Sequence, residues 1–146
     1  MDVNKSNIVY EDNALVVVNK DCNQALDYNN ILNNLSKEVS GLVVLSKNKY
    51  SIKYSYLVIV EGYFNDQDYN ILVQKEKYSI LEINSSLEDT LIRENLMNIN
   101  HPIIGDYKYK STINPIKRIC MHLYKIEIDN KQIYSEIPDS FRIFMP

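Results

Sequence analysis

The sequence predicts an α+β fold, a mixed and mostly antiparallel sheet with few helices. Three observations predict it. Short β-branched and aromatic segments recur between polar turns. A single stretch, Leu87 to Ile99, changes to the helical period. No repeat or linker divides the 146 residues, so 1–146 is expected to be a single minimal domain.

The elements follow in order. Ile8–Tyr10 and Ala14–Asn19 read as short strands around the turn Glu11-Asp12-Asn13. Asp21–Asn34 is polar and Asn-rich, a loop with one weak helical turn. Val39–Ser46 has an uninterrupted apolar centre, which predicts a strand buried on both faces. Tyr54–Val60 is β-branched and aromatic and ends at Gly62. Tyr69–Gln74 and Tyr78–Asn84 read as two strands joined by a Lys/Glu turn. Leu87, Leu91, Ile92, Leu96 and Ile99 then fall on one helical face. Ser86 with Asp89 three residues on has the form of a capping box, with Asp in place of Glu or Gln. Asn100 and Pro102 end the helix. Arg118–Asp129 and Gln132–Ser135 suggest a hairpin around Asp129-Asn130-Lys131.

Composition excludes several classes. Hydrophobic residues make up 45% and charged residues 24%, so disorder and fibrous repeats are excluded. The apolar runs Ala14–Val18, Gly41–Leu45 and Leu57–Val60 fall far short of the roughly 20 residues of a membrane span. Met1–Asn7 is polar without a signal-peptide core, so the expected location is cytoplasmic, with no membrane. Net charge is −3, and the only arginines are Arg93, Arg118 and Arg142, which argues against nucleic-acid binding by bulk charge but leaves room for a local basic patch. Cys22 and Cys120 with His101 and His122 lack the close spacing of a zinc site, so no metal is expected. Cys120, in an apolar stretch, reads as a small core residue.

Four segments, in order, resemble the RluA-type pseudouridine synthases, which modify ribosomal and transfer RNA. Ile8–Lys20, IVYEDNALVVVNK, is similar to the family's opening hairpin, although Asp21 and Cys22 follow where the family has Pro and Gly. Asn33–Ser46, NNLSKEVSGLVVLS, resembles the pattern His-Arg-Leu-Asp-Lys-Glu-Thr-Ser-Gly. Leu35, Lys37, Glu38, Ser40 and Gly41 match, while Asn33, Asn34 and Ser36 stand at the His, Arg and Asp positions. Tyr56–Gly62 is similar to the family's Tyr-containing strand. Ile92–Tyr109 matches through Arg93, Leu96 and HPIIGDYKY, but Leu87–Leu91 replaces Gly-Arg-Thr-His-Gln. RICMH, with Arg118 and His122, and Ile137–Phe141 resemble the last strand and tail. The chain is short between Lys20 and Leu35 and between Lys47 and Tyr56, where the family would place a helix.

The resemblance implies a pseudouridine synthase catalytic-domain-like fold and an RNA uridine isomerase that breaks the base–ribose N–C bond and remakes it as C–C. It implies no metal or organic cofactor, and ribosomal or transfer RNA as partner. In the family an aspartate acts on the nucleotide, a basic residue orients it and a Tyr stacks on the base, which must leave its stack. The chemistry needs an ionised carboxylate held by an arginine. Carried onto this chain, the catalytic positions are Ser36, Tyr56 and Arg93, and the RNA-binding positions are Lys37, Lys108, Lys110, Lys117 and Arg118. His101 is implied to be structural, fixing the turn into Gly105-Asp106.

Ser36 is a neutral hydroxyl and cannot replace the aspartate. A serine-nucleophile reading would need His122 beside Ser36, and no nucleophile elbow or Gly-rich oxyanion loop supports it. Each assignment has a plainer counterpart. Tyr56 could be a core tyrosine, Arg93 a helix-surface arginine paired with Glu88, Asp89 or Glu94, and the lysines a solvated loop. The expectation is a pseudoenzyme of this family that has lost catalysis and retains weak RNA binding. One alternative is an active synthase using another acid, with Glu38 and Asp106 nearest in the motifs. The other, favoured by the acidic pI and lost arginines, is a protein-interaction module on the same fold.

Overall fold

The computed structural model describes residues 7–146, so residues 1–6 of the polar N-terminal stretch lie outside the described part. The strands are β1 Ile8–Glu11, β2 Leu15–Lys20, β3 Ser40–Ser46, β4 Ile52–Glu61, β5 Asn70–Gln74, β6 Tyr78–Ser85, β7 Met121–Ile128 and β8 Lys131–Tyr134. The helix α1 spans Asp89–Asn98, and short 3₁₀ turns cover Tyr107–Tyr109 and Asp139–Phe144. All eight strands join one sheet in the order β1-β2-β3-β7-β4-β6-β5, with β8 also on β7. β3 and β7 run parallel and every other pair is antiparallel, the mixed sheet the sequence predicts. Among the described residues no helix is long and apolar enough to cross a membrane.

Every residue of β3 is buried, as its unbroken apolar run requires, and β4 beside β7 is buried from Tyr54 to Val60. Gly41 makes the parallel contact possible. Its φ is +130°, and a Cβ there would lie 2.3 Å from the Leu123 carbonyl oxygen. The β7–β8 turn places Asp129 and Asn130 at φ 48° and 62°, the doubly left-handed geometry of a two-residue hairpin.

Several local expectations are corrected. The Asp21–Asn34 segment contains no helical turn; Asn23 and Asn30 adopt positive φ, and Ile31 bridges to Leu45. β7 begins at Met121 rather than Arg118, because Cys120 bonds sideways to Ile104 and Ile59 instead of pairing in a ladder. The helix buries Asp89, Ile92, Arg93 and Leu96, an i, i+3, i+4, i+7 stripe, whereas Leu87, Leu91 and Ile99 are exposed. An apolar count misplaces the stripe because Asp89 and Arg93 neutralise each other and can be buried. The capping box does not form. Glu88 is the N-cap without a side-chain bond, and the Asp89 carboxylate points inward.

The helix end is as Asn100 and Pro102 predict. Asn100 takes φ 66°, its N–H donates to Met97 O at 3.0 Å, and the His101 N–H donates to Leu96 O at 2.9 Å. His101 then hydrogen-bonds Glu61 O through Nδ1 and packs on Phe64, so it anchors the turn that leads into Gly105-Asp106.

Candidate functional site

Arg93 is the hub of the motif residues. Its Nε donates to Asp106 Oδ2 at 2.8 Å and its Nη2 to Asp106 Oδ1 at 2.9 Å, a bidentate pair. Its Nη1 reaches Asp89 Oδ2 at 3.4 Å, and Glu38 Oε2 lies 4.0 Å away. Burial works against the guanidinium, but the hydrogen bond and charge of Asp106, reinforced by Asp89, hold it above its ordinary pKa. Arg93 is therefore a buried residue, and the helix-surface placement is corrected, although Asp89 was one of its expected partners.

Ser36 lies beside this hub, half-buried. Its backbone N–H donates to Asp89 Oδ1 at 3.0 Å across fifty-three residues of sequence. His122 does not approach it as a catalytic partner but bonds Ser40 and Ser135 instead. Tyr56 is 2% exposed, and its hydroxyl donates to Leu87 O at 3.2 Å. Burial, with the charge of Asp89 next, pushes its phenol above the ordinary value. It thus presents no open face for a base to stack on, and the core-tyrosine placement describes it.

Arg118 and His122 belong to a second buried network. Arg118 Nη2 donates to Ser40 Oγ at 2.7 Å and to Met121 O at 3.0 Å, and its Nε donates to Ile119 O at 2.9 Å. Ser40 Oγ also lies 2.7 Å from His122 Nδ1 and donates to it, because Ser135 sends its own hydrogen to Asn19 and so takes the single proton of the neutral ring from Nε2. His122 Nε2–H then donates to Ser135 Oγ at 3.1 Å, and Ser135 donates to Asn19 Oδ1 at 2.6 Å. Burial, with Arg118 second, pushes the imidazole down to about 4, so it is neutral at pH 7. Arg118, expected in a surface phosphate patch, is 8% exposed, which corrects that placement: its Nε and Nη2 donors bond within the fold while the side chain still forms part of the cleft wall.

The expected RNA-binding residues divide. A cleft of about 250 Å³ runs from Arg93, Asp106 and Glu38 to Tyr107, Lys108 and Lys117, with Arg118 also in its wall. Lys108, Lys117 and Tyr107 are exposed there, so two cations and one aromatic ring share an open rim. Lys110 is exposed but outside this cleft. Lys37 lines a separate pocket of about 240 Å³ with Lys20, Asn33 and Asn34. Lys20 is 2% exposed, donates to Asp21 O and Lys37 O, and is pushed down to about 8 by burial.

Sequence reading named Asp89 as a surface partner of Arg93 and Ser40 as a motif match, but assigned neither to a buried network. The i, i+4 spacing of Asp89 and Arg93 was a usable signal. That both turn inward was not. No group of three or more His, Cys, Asp or Glu among the described residues could hold a metal ion. Cys22 and Cys120 are both free, and Cys120 is a core residue with its thiol pushed up to about 12 by burial.

No family model matches the chain. It is 26% identical over 165 residues to the ribosomal large subunit pseudouridine synthase D of Borreliella burgdorferi, covering 79% of this chain and 51% of that protein. It is 24% identical over 155 residues to an uncharacterised RNA pseudouridine synthase of Helicobacter pylori, covering 77% of this chain and 64% of that one. The chain thus spans about half to two thirds of the length of these relatives. Among solved structures it is similar to human RNA pseudouridylate synthase domain containing 4, with a TM-score of 0.75, 14% identity, and 94% and 92% of the two chains covered. The human domain containing 1 protein gives a TM-score of 0.69 at 15% identity, over 97% and 87%.

Proposed function

We propose that this chain, a relative of the RNA pseudouridine synthases built on their fold, binds RNA without isomerising uridine. The observation that carries this reading is the state of the acids around position 36. Ser36 offers a neutral hydroxyl, and the two carboxylates nearest Arg93, Asp89 and Asp106, are both 0% exposed and engaged by the guanidinium. Pairing with an arginine suits an acid to this chemistry, but complete burial keeps both of these out of a nucleotide's reach. Covered Tyr56 points the same way. RNA contact is assigned to the Tyr107–Lys108–Lys117 rim, where lysines can meet phosphates and the exposed ring can stack on a base.

Glu38 favours a second reading. It lines the same cleft, its side chain is 48% exposed, and it lies 4.0 Å from Arg93 Nη1. An active synthase with a displaced acid would use it. Incubation with unmodified ribosomal and transfer RNA, followed by carbodiimide-stop primer extension, separates the two. The first reading expects no new stops, together with RNA binding that weakens as salt rises. New stops that disappear in Glu38→Gln would establish the second. Absence of RNA binding would leave a protein-interaction module on this fold.

A further inference from the structure

We propose that the pocket between the 24–37 segment and strands β2 and β3 binds a small organic anion, its charged head on the Lys20 ammonium and its body on an apolar wall. This pocket of about 240 Å³ shares no lining residue with the cleft of Arg93 and Lys117, so the proposal is independent of the RNA-binding reading. Lys20 ends β2 and lines the pocket while only 2% exposed. Its Nζ donates to Lys37 O at 2.7 Å and to Asp21 O at 3.0 Å. An ammonium carries three hydrogens, so one is left without an acceptor among the described residues. Among those residues no carboxylate forms an ion pair with it, and Glu38 and Asp89 act on it only from farther away. A buried charge is costly unless a counter-charge joins it. Burial accordingly pushes this amine down to about 8, which leaves it charged at pH 7.

The rest of the lining selects the ligand. Leu26, Ile31, Leu35 and Val43 form the apolar wall, and no carboxylate of the described residues lines the pocket. Val43 is buried with Val18 and Leu45, whereas Leu26, Ile31 and Leu35 pack on them only half-buried, so apolar surface remains to be covered. Lys37 adds a second, exposed cation. Gln24 Oε1 accepts the Asp21 N–H at 2.9 Å, which leaves the Gln24 amide hydrogens without an acceptor among the described residues. Asn33, by contrast, is spent on the fold: it donates to Leu42 O and accepts the Val44 N–H. Two cations and free donors beside an apolar wall suit a carboxylate or phosphate head on a short apolar body, and repel a cation.

An NMR titration of the isotope-labelled full chain tests this with hexanoate, which has head and body, with hexan-1-ol, the body alone, and with inorganic phosphate, a head alone. Hexanoate is expected to shift the amides of Gln24, Ala25, Leu26, Leu35 and Lys37, and to bind at least about tenfold more tightly than either partial ligand. Lys20→Met should reduce hexanoate to the affinity of hexan-1-ol, while Lys37→Met, at an exposed position, should weaken it less than about threefold. If Lys20→Met fails to fold, Ala25→Trp, at an exposed position of the lining, takes its place and should weaken hexanoate at least about tenfold by filling the pocket. Equal affinity for hexanoate and hexan-1-ol, shifts confined to other parts of the chain, or unchanged hexanoate binding in Lys20→Met or Ala25→Trp would overturn the inference. Unmodified transfer RNA added to the hexanoate-loaded chain should leave these shifts in place. Displacement of hexanoate would make Lys20 a contact for RNA phosphate and would overturn the small-anion site. A failure of the RNA-binding reading would appear in the RNA assay and leave this titration unchanged.

Discussion

Arg93 grips Asp106 with two parallel hydrogen bonds of 2.8 and 2.9 Å, with the arginine side chain 3% exposed and the aspartate 0%. This contact joins α1 to the turn that carries Gly105. The same guanidinium lies 4.9 Å above the Tyr109 ring, so the pair also orders the loop that presents Tyr107 and Lys108. The buried pair thereby braces the loop that carries the exposed Tyr107 and Lys108.

Arg93→Met should be among the most damaging single changes, because it strands two buried carboxylates without a counter-charge. The expected loss is about 3–5 kcal/mol. Asp106→Asn should cost less, about 2 kcal/mol, since Asp89 still balances the guanidinium. Urea unfolding measures both, and an equal or reversed order would remove Arg93 as the hub.

Stability should fall as the solution is acidified from pH 7.5 to 5.5. His122 ordinarily titrates near 6.5 but is pushed down to about 4 in the folded chain. Protons therefore bind the unfolded chain first, and the stability present above 6.5 is lost as pH falls toward 4. At pH 5.5 the loss should be about 1.4 kcal/mol, one proton taken up on unfolding. Denaturant midpoints at the two pH values check it. An unchanged midpoint would show that the Ser40–His122–Ser135 chain does not hold the imidazole neutral.

Restoring an aspartate at position 36 should not by itself produce pseudouridine. Tyr56 remains covered by the chain at Leu87, and Asn34 and Thr90 still lack the family's side chains. Primer extension after carbodiimide treatment, with an active family enzyme as control, provides the measurement; stops from Ser36→Asp would show an otherwise intact site.

Charge reversal should separate the lysines. Lys108→Glu and Lys117→Glu are each expected to weaken RNA binding and to reduce the slope of log K against log salt by about 0.7–0.9. Lys110→Glu, outside the cleft, should change the slope less. Filter binding across a salt series reads all three, and equal effects would mean general surface charge rather than a cleft.

Gly41→Ala should abolish folding or cost several kcal/mol. The added Cβ would lie 2.3 Å from the Leu123 carbonyl oxygen and 2.6 Å from its nitrogen, in a backbone region that L side chains rarely adopt. Soluble yield and circular dichroism suffice to test it.

Strand order along the chain, the helix and its end at Asn100, the buried run of β3 and the β7–β8 turn were legible from sequence. Each depends on local periodicity or on one residue's backbone preference, which neighbours in sequence express. The neutral hydroxyl at position 36 was legible too. The inward turn of Asp89 and Arg93, the covering of Tyr56, the withdrawal of Arg118 from the surface and the sharing of one cleft by Lys108 and Lys117 were decided by tertiary structure. A charged side chain's burial depends on whether a partner from a distant segment arrives to neutralise or hydrogen-bond it. For Arg93 that partner is Asp106, thirteen residues on, and for Arg118 it is Ser40, seventy-eight residues back. Residue type and spacing carry no record of such meetings, so the sequence determined the scaffold and the neutral side chain at position 36, while packing decided which charged groups stay exposed.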